Sequence, residues 1–332
     1  MPRYSVIIPV YNRIDEVRDL LESLSRQTFK DFEVIIVEDG STEPCGELVK
    51  LYENRLDLKY FYKDNDGRSI ARNYGIDRST GSYLVFFDSD CVIPPDYFAI
   101  LDRELNAKPL DCYGGPDAAH ESFTHTQKAI SFAMTSFLTT GGIRGGKIQM
   151  EKFVPRSFNM GYSREVYNKV GGFREMFSED IDMSTRIRQA GFSIGLIHPA
   201  HVYHKRRINF AKFWRQVYVF GMSRITLKLL YPDSLKLVHT LPAIAVIIGA
   251  LLVALGIFVS PWFLLPIGVY LVALFIAAWV STRSFSIALR AVPASVVQIC
   301  GYGCGFIKAF IMKILLRRGR DINEEIAIRK GK

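Results

Sequence analysis

Short apolar runs alternate with amphipathic stretches over the first 110 residues. Residues Tyr4–Val10 are rich in β-branched types and predict a buried strand. Apolar residues then recur at helical spacing over 14–24, which predicts an amphipathic helix. Further strands are predicted at 33–37, 58–62 and 83–87, with a helix between each strand and the next. This alternation indicates βαβ units, and therefore an α/β fold with a mostly parallel sheet.

The pattern between residues 111 and 235 is less regular. Helices are predicted at 164–170 and 179–190, with Ser178 placed to cap the second helix and Gly191 placed to end it. The same part contains a glycine-rich stretch that predicts either a mobile loop or an ordinary surface loop. That stretch contains Gly141, Gly142, Gly145 and Gly146.

The last third of the chain is dominated by long apolar segments. Residues 237–260 and 262–280 lack Asp, Glu, Lys and Arg and are long enough to cross a bilayer. A third segment, at about 287–316, has a shorter apolar centre that contains Pro293 and several glycines. Because those residues suggest a broken helix, we expect this segment to be embedded or interfacial.

These patterns divide the chain into three parts. We expect a first domain over 1–235, a membrane module over 236–316 and a basic cytosolic tail over 317–332. The first domain meets the first span at about residue 236, where basic sequence gives way to apolar sequence.

The basic residues flank the apolar segments. The net charge is +9, with eight Lys or Arg residues over 205–236 and eight more from 308 to the end. Such flanking clusters favour the cytoplasmic face of a membrane over nucleic acid as a partner. The five cysteines are odd in number and irregularly spaced, which is typical of a reducing compartment. No signal-peptide pattern begins the sequence, so we expect the first domain in the cytosol.

The strongest chemical feature is Asp88-Ser-Asp90, directly after the strand predicted at 83–87. Two carboxylates spaced i, i+2 in extended chain point the same way. At the carboxyl end of a strand, they suit a hard divalent cation such as Mg²⁺ or Mn²⁺ that also binds phosphate oxygens. The alternative is an exposed turn without a metal.

Five segments together resemble family 2 glycosyltransferases of the GT-A fold. They occur in the order and at the spacing of that family, and they cover roughly residues 4–220. The resemblance implies a nucleotide-sugar donor, with a UDP-sugar favoured, a divalent metal and inversion at the anomeric carbon. The matching segments are residues 5–12, 37–42, 67–75, 88–90 and 178–180.

The resemblance also implies the residues of the donor site. Pro9, Tyr11 and Asp39 lie at or after the ends of the first two strands, where the base and ribose would bind. Arg68 and Arg72 share a helix face and could bind the diphosphate. Asp88 would serve both the donor and the metal. Asp39 could instead be an ordinary turn residue, and the two arginines a solvated basic face.

Asp180 is implied as the general base that deprotonates the acceptor hydroxyl. The alternative for Asp180, as for Glu179 and Asp182, is complementation of the helix dipole in the first turn. His204 is implied near the metal or the diphosphate, although a structural histidine is the competing interpretation.

Three functions remain open at this point. The first is transfer of one sugar to a lipid-linked glycan acceptor at the cytoplasmic membrane face. The second is polyprenyl-phosphate glycosyl synthesis, in which the acceptor is the lipid phosphate itself. The third is a membrane scaffold that binds nucleotide without turnover. Residues Trp214-Arg215-Gln216 do not reproduce the Q-x-x-R-W signature of processive synthases, which argues for a single transfer.

Overall fold

The computed structural model describes residues 1–118, 123–141, 153–204 and 209–319, and these fall into two compact units. We call the first unit, 1–118 with 153–204, the sheet body. The second, 123–141 with 209–319, is the helical body. The glycine-rich residues 142–146 and the tail from 320 lie outside the described residues. The predicted domain limits at 235 and 316 stay a prediction.

The strands belong to the sheet body. Within the described residues they are β1 (Tyr4–Val10), β2 (Phe32–Asp39), β3 (Asp57–Lys63), β4 (Tyr83–Phe86), β5 (Cys91–Val92), β6 (Cys112–Gly114), β7 (Asp117–Ala118), β8 (Met160–Ser163), β9 (Ile194–Leu196) and β10 (Val202–His204).

The helices are shared between the two bodies. In chain order they are α1 (Ile14–Ser25), α2 (Gly46–Lys50), α3 (Arg68–Ile76), α4 (Tyr97–Ala107), α5 (His125–Thr135), α6 (Phe137–Thr140), α7 (Arg164–Val170), α8 (Glu179–Gln189), α9 (Phe210–Leu230), α10 (Leu237–Phe258), α11 (Leu265–Thr282) and α12 (Phe285–Ala309). Short 3₁₀ turns occupy Pro232–Ser234 and Pro261–Leu264, and a π-helical turn, Phe310–Leu315, extends α12.

A seven-stranded sheet runs in the order β3-β2-β1-β4-β8-β6-β9. Its pairs are parallel, apart from β8, which is antiparallel to both neighbours. Successive residues of β1 serve opposite faces: Val6 and Ile8 belong to one apolar core, and Ile7 belongs to the other. Strands buried on both faces read as continuous apolar runs. The predicted mostly parallel α/β sheet is confirmed.

The carboxyl ends of β1, β2 and β4 lie at one edge of this sheet because the three strands are parallel neighbours. Asn12 joins the first two ends: its Oδ1 accepts from the Thr42 N–H at 2.9 Å, and its own N–H donates to Ser41 Oγ at 2.7 Å. This edge therefore presents Tyr11, Asp39 and Asp88, which follow or end the three strands, to one region.

A small second sheet has the order β5-β10-β7. Strand β10 pairs antiparallel with β5, which places His204 opposite Cys91. Because β5 begins directly after Asp90, this sheet holds a late segment of the chain against the two-carboxylate segment that follows β4.

The third apolar segment does not break where the sequence suggested. Helix α12 runs through Pro293 without interruption, so the expectation of a broken segment is wrong. Its glycines permit close helix packing: a Cβ on Gly305 would lie 2.0 Å from the Tyr218 carbonyl oxygen, and one on Gly303 2.6 Å from that of Pro242. Small residues at such contacts are typical of membrane helix packing. That the segment does not fully cross a membrane stays a prediction.

Three helices of the helical body are long and apolar enough to span a membrane. They cover Leu237–Phe258, Pro261–Thr282 and Phe285–Leu315, the second with its 3₁₀ turn and the third with its π-helical turn. The first two agree with the predicted spans.

Candidate active site

Arg72 connects three parts of the site. Its guanidinium donates to Glu179 Oε1 at 2.9 Å, to Asp88 Oδ1 at 2.7 Å and to Ser157 Oγ at 3.1 Å. The side chain is 1% exposed and lies over the Phe173 ring. Arg72 belongs to helix α3, which packs against β1 and β2. The alternative of a solvated basic face is therefore wrong for Arg72, since a buried guanidinium is tolerated only when it is paired. Binding of the diphosphate by Arg72 stays a prediction.

Arg68 lies one turn earlier on α3 and shares the same carboxylate. Its guanidinium donates to Glu179 Oε2 at 2.7 Å while the side chain stays 47% exposed. Burial alone would raise the pKa of Glu179, but Arg68 and Arg72 outweigh it and hold that pKa below its ordinary value. Glu179 is therefore ionised. As the first residue of α8, it links that helix to α3 through the two arginines.

Asp180 follows Glu179 and is more accessible. Its side chain is 15% exposed; one oxygen accepts from the Ile181 N–H at 2.8 Å and the other lies 3.4 Å from Arg156 NH1. Ser178 occupies the N-cap position in a left-handed conformation, with φ of 62°, and makes no side-chain capping bond. The predicted capping by the Ser178 side chain is thus wrong. Gly191, with φ of 88°, does follow the end of α8 as predicted.

Asp182 is enclosed by contacts with other side chains of the sheet body. It is fully buried, and it accepts from Arg186 Nε at 2.9 Å and from Arg174 NH1 at 3.2 Å. Arg186 in turn donates to the carbonyls of Val170 and Gly172. Of the three carboxylates in the first turn of α8, Asp182 is enclosed by two arginines and Glu179 pairs with Arg68 and Arg72, whereas Asp180 keeps 15% exposure beside Arg156.

Asp90 and His204 lie together across the small sheet. His204 Nε2 is 3.0 Å from Asp90 Oδ1, and the Phe158 ring stacks on the imidazole at 4.6 Å between ring centroids. One donor atom each from Asp90, Cys91 and His204 lies within 4.8 Å of the others. A carboxylate oxygen, an imidazole nitrogen and a sulfur at this spacing fit a divalent cation. Burial raises the pKa of the Cys91 thiol well above its ordinary value.

Asp39 organises the loop before α3. One oxygen accepts from Lys63 Nζ at 2.9 Å and the Asp66 N–H at 3.0 Å, and the other accepts from the Gly67 N–H at 2.9 Å. Gly67 has φ of 108°, which a residue with a Cβ rarely adopts, and it sets the loop directly before Arg68. The carboxylate is 4% exposed, so its contacts within the loop exceed those of a plain turn residue.

Glu38, Pro9 and Tyr11 differ in exposure. Glu38 is fully buried and accepts from Ser41 Oγ and from the Cys45 N–H, so it anchors the start of α2. Pro9 lies within β1 opposite Val37. Tyr11 is 51% exposed just beyond β1, with a ring available for contact with a ligand.

Sequence reasoning did not identify several residues of this arrangement. Glu179 was assigned only to the helix dipole, yet it links both arginines to α8; its place beside Asp180 was the available signal. Cys91 directly follows Asp90, but its proximity to His204 depends on a strand pair 113 positions apart in the chain. Phe158 and Ser157 come from the irregular part of the sequence and carried no local signal.

Comparison with known proteins places this arrangement in a family. The model described as Glycosyl transferase family 2 matches residues 5–171. The chain belongs to this family, and the predicted family is confirmed.

Curated proteins similar to this chain are also named glycosyltransferases. Glycosyltransferase AglE of Haloferax volcanii is 25% identical over 268 residues, which cover 76% of this chain and 82% of that protein. An uncharacterized glycosyltransferase of Rickettsia bellii is 49% identical over 109 residues, 33% of this chain. The chain spans 15% of the length of that protein and 16% of a Rickettsia felis relative.

Solved structures share the GT-A fold. The mannosyltransferase PcManGT from Pyrobaculum calidifontis, solved with GDP-Man and Mn²⁺, has a TM-score of 0.59 at 17% identity, covering 93% of this chain and 87% of that chain. Residues 1–349 of S. aureus TarS, solved with UDP, have a TM-score of 0.50 at 18% identity, covering 99% and 92%. At these identities the likeness concerns the fold.

Proposed function

We propose that the chain transfers one sugar, with inversion, from a nucleotide-sugar donor to a hydroxyl of a lipid-linked glycan acceptor at the cytoplasmic membrane face. The observation that carries the proposal is the bridge of Arg72 between Asp88 and Glu179. It couples the residue proposed for the donor and metal to the segment that begins with Glu179 and continues with Asp180.

The donor lies along the carboxyl edge of the sheet in this proposal. Tyr11 and Pro9 contact the base and Asp39 the ribose, with a UDP-sugar favoured. Arg68 is half exposed and reaches the diphosphate, while the buried Arg72 stabilises that charge from behind. PcManGT with GDP-Man and TarS with UDP support a nucleotide-bearing donor in this fold.

Asp88, Asp90 and His204 would hold Mg²⁺ or Mn²⁺. The spacing of Asp90, Cys91 and His204 fits a cation, and Mn²⁺ in PcManGT supports the choice of ion. When bound, a divalent ion stabilises the negative charge that develops on the leaving diphosphate.

Asp180 accepts the proton of the acceptor hydroxyl. As that proton moves to the carboxylate, the oxygen attacks the anomeric carbon from the face opposite the diphosphate. The new C–O bond forms while the bond to the diphosphate breaks, and one such displacement inverts the centre. Asp180 suits this role because it keeps 15% exposure, whereas Asp182 is enclosed by Arg174 and Arg186.

A donor screen tests the proposal. Membrane extract containing the chain is supplied with individual nucleotide sugars, and release of nucleoside diphosphate is followed with and without EDTA. We expect one donor class to be turned over, and EDTA to stop the release until Mg²⁺ or Mn²⁺ is added. Release from no nucleotide sugar would favour the scaffold interpretation, and EDTA-resistant release would contradict the metal.

Asp180→Asn tests the base. Transfer should fall by about 10²-fold or more, while donor affinity measured by calorimetry stays near that of the wild type. A collapse of affinity would place Asp180 in the donor site. Full transfer by the variant would favour a polyprenyl-phosphate acceptor, since an ionised phosphate needs no base.

The membrane part of the proposal concerns topology. We expect α10 to lead out, the turn at Pro261–Leu264 to lie outside and α11 to return, with Arg283 and Arg290 on the cytosolic side. The third segment is embedded or interfacial in this proposal, because a full crossing would place Lys308 and the basic residues that follow it outside. The C-terminus therefore remains cytosolic. A C-terminal reporter that works only outside the inner membrane would instead demonstrate a third crossing.

A further inference from the structure

Cys91 lies where its sulfur could join the oxygen and nitrogen donors of the candidate cation site. Its backbone N–H donates to the Asp88 carbonyl at 3.1 Å, so it belongs to the same turn as the two carboxylates. Its neighbour across the small sheet is His204. Side chains of directly opposite residues in an antiparallel pair lie on the same face, with Cβ atoms about 4.5–5.5 Å apart.

Phe158 holds both of these side chains in place. Its carbonyl accepts from Cys91 Sγ at 3.5 Å, and its ring stacks on His204 at 4.6 Å between centroids. The thiol and the imidazole are therefore oriented by one residue. Donor atoms of Asp90, Cys91 and His204 lie within 4.8 Å of one another, and the His204–Asp90 pair is 3.0 Å apart.

We propose that Cys91 is a sulfur ligand of this cation site, and that the site consequently prefers thiophilic divalent ions such as Zn²⁺ to Mg²⁺. The proposal rests on the proposed function only in taking Asp90 and His204 as ligands. Mg²⁺ favours oxygen ligands and binds sulfur poorly, whereas Zn²⁺ accepts sulfur, imidazole nitrogen and carboxylate oxygen together.

Burial decides how an ion reaches the sulfur. Cys91 is fully buried, whereas the side chains of Asp90 and His204 are 14% and 15% exposed. An ion would meet the carboxylate and imidazole first. The Sγ–metal bond then forms as the S–H bond breaks, and the proton leaves to solvent.

The first test uses Cd²⁺ as a spectroscopic probe of sulfur ligation. It is made in a Cys300→Ser/Cys304→Ser background because those two half-buried cysteines lie one turn apart on α12 and could bind the ion themselves. We expect a sulfur-to-metal absorption band that saturates at one ion per chain. Zn²⁺ should displace the Cd²⁺, and an equal concentration of Mg²⁺ should not.

Two serine variants make a matched comparison. Cys91→Ser should lose the band and lower Zn²⁺ affinity by at least about 10-fold, with Mg²⁺ affinity unchanged. Cys112→Ser should keep both, although Cys112 is also fully buried in the sheet body. A band that persists in Cys91→Ser, or Cd²⁺ binding by calorimetry without a band, overturns the proposal.

A second measurement needs no change at Cys91. X-ray absorption at the zinc edge, in the same background, should find a sulfur neighbour at about 2.3 Å beside nitrogen and oxygen neighbours at about 2.0–2.2 Å. A shell of nitrogen and oxygen alone overturns the proposal even if Cys91→Ser fails to fold. Sulfur ligation without sugar transfer would sink only the proposed function. Mg²⁺-supported transfer with a sulfur-free zinc shell would sink only the role of Cys91.

Discussion

The two bodies of the molecule bury different chemistry. The sheet body encloses charged side chains in paired networks, such as Arg72 with Glu179 and Asp182 with Arg186. In the described helical body, the buried polar residues are mostly uncharged, and large apolar side chains such as Ile257 and Trp262 are exposed instead. Because exposed apolar surface on this scale is unfavourable in water, the helical body is suited to lipid and the sheet body to water.

The two bodies should therefore be sensitive to different substitutions. In the sheet body, removing one partner leaves an uncompensated buried charge, so single charge changes should be costly. In the helical body, packing depends on close approach of the helix backbones. Adding a single methyl group there should therefore cost more stability than removing a single charge. The three tryptophans, at 214, 262 and 279, all belong to the helical body, whereas three buried cysteines, at 45, 91 and 112, belong to the sheet body. Fluorescence and thiol labelling can therefore follow the two bodies separately.

The largest effect is expected for Arg72→Met. This change leaves the Asp88 contact empty and takes one of two arginines from Glu179, which should cost about 3–5 kcal/mol of sheet-body stability. Thiol labelling during denaturation, in the Cys300→Ser/Cys304→Ser background, measures the loss. Arg68→Met is the matched control and should cost much less, because that side chain is half exposed. Equal loss in both variants would contradict the importance of burial.

The next largest effect is expected on the stability of the sheet body in acid. Glu33 accepts from Ser5 Oγ at 2.7 Å, from the Thr80 N–H at 2.6 Å and from Lys59 Nζ at 2.7 Å. Burial alone would raise its pKa, but Lys59 and the hydrogen bonds lower the pKa to about 2. Because the folded pKa is depressed, this stabilisation is present above about pH 4.5 and is lost as the pH falls towards 2.

Glu33→Gln should therefore flatten the acid dependence of sheet-body stability between about pH 4.5 and 2, with a loss at neutral pH of at most roughly 3 kcal/mol. Denaturant titrations at several pH values, followed by thiol labelling, provide the measurement. A variant that keeps the slope of the wild type would show that another carboxylate dominates acid unfolding.

The smallest effect tests the helical body. Gly305→Ala places a methyl 2.0 Å from the Tyr218 carbonyl oxygen and should cost about 1–3 kcal/mol. Gly249→Ala is the control: no neighbour lies within 4 Å of its added Cβ, and alanine favours helix by about 1 kcal/mol. Thermal unfolding in detergent, followed by tryptophan fluorescence, should move down for the first and not for the second. Equal shifts would indicate that close packing of α12 is unimportant.

The sequence was most informative where structure is local. Strand β1 and helix α7 have the predicted limits, because each is a short periodic segment between clear breaks. Pro293 was misleading, since local preference for a break was overridden by packing of α12 against α9 and α10. In the site, Asp88 and Asp90 stood out by spacing, but Cys91 gains its interest only from His204, which a distant strand brings close.

The position of α5 in the chain affects how the protein folds while it is being synthesised. Helix α5 packs in the helical body: Ala129 lies with Ala288 and Ala291 of α12, and Ile130 lies with Phe213 of α9. Its contacts in α12 are made about 160 residues later, on the order of 10 s at ribosomal speed. During that interval α5 has apolar residues without their final neighbours. We therefore expect the nascent chain to pass through a stage at which a chaperone or the bilayer surface covers these residues of α5, until α12 has been made.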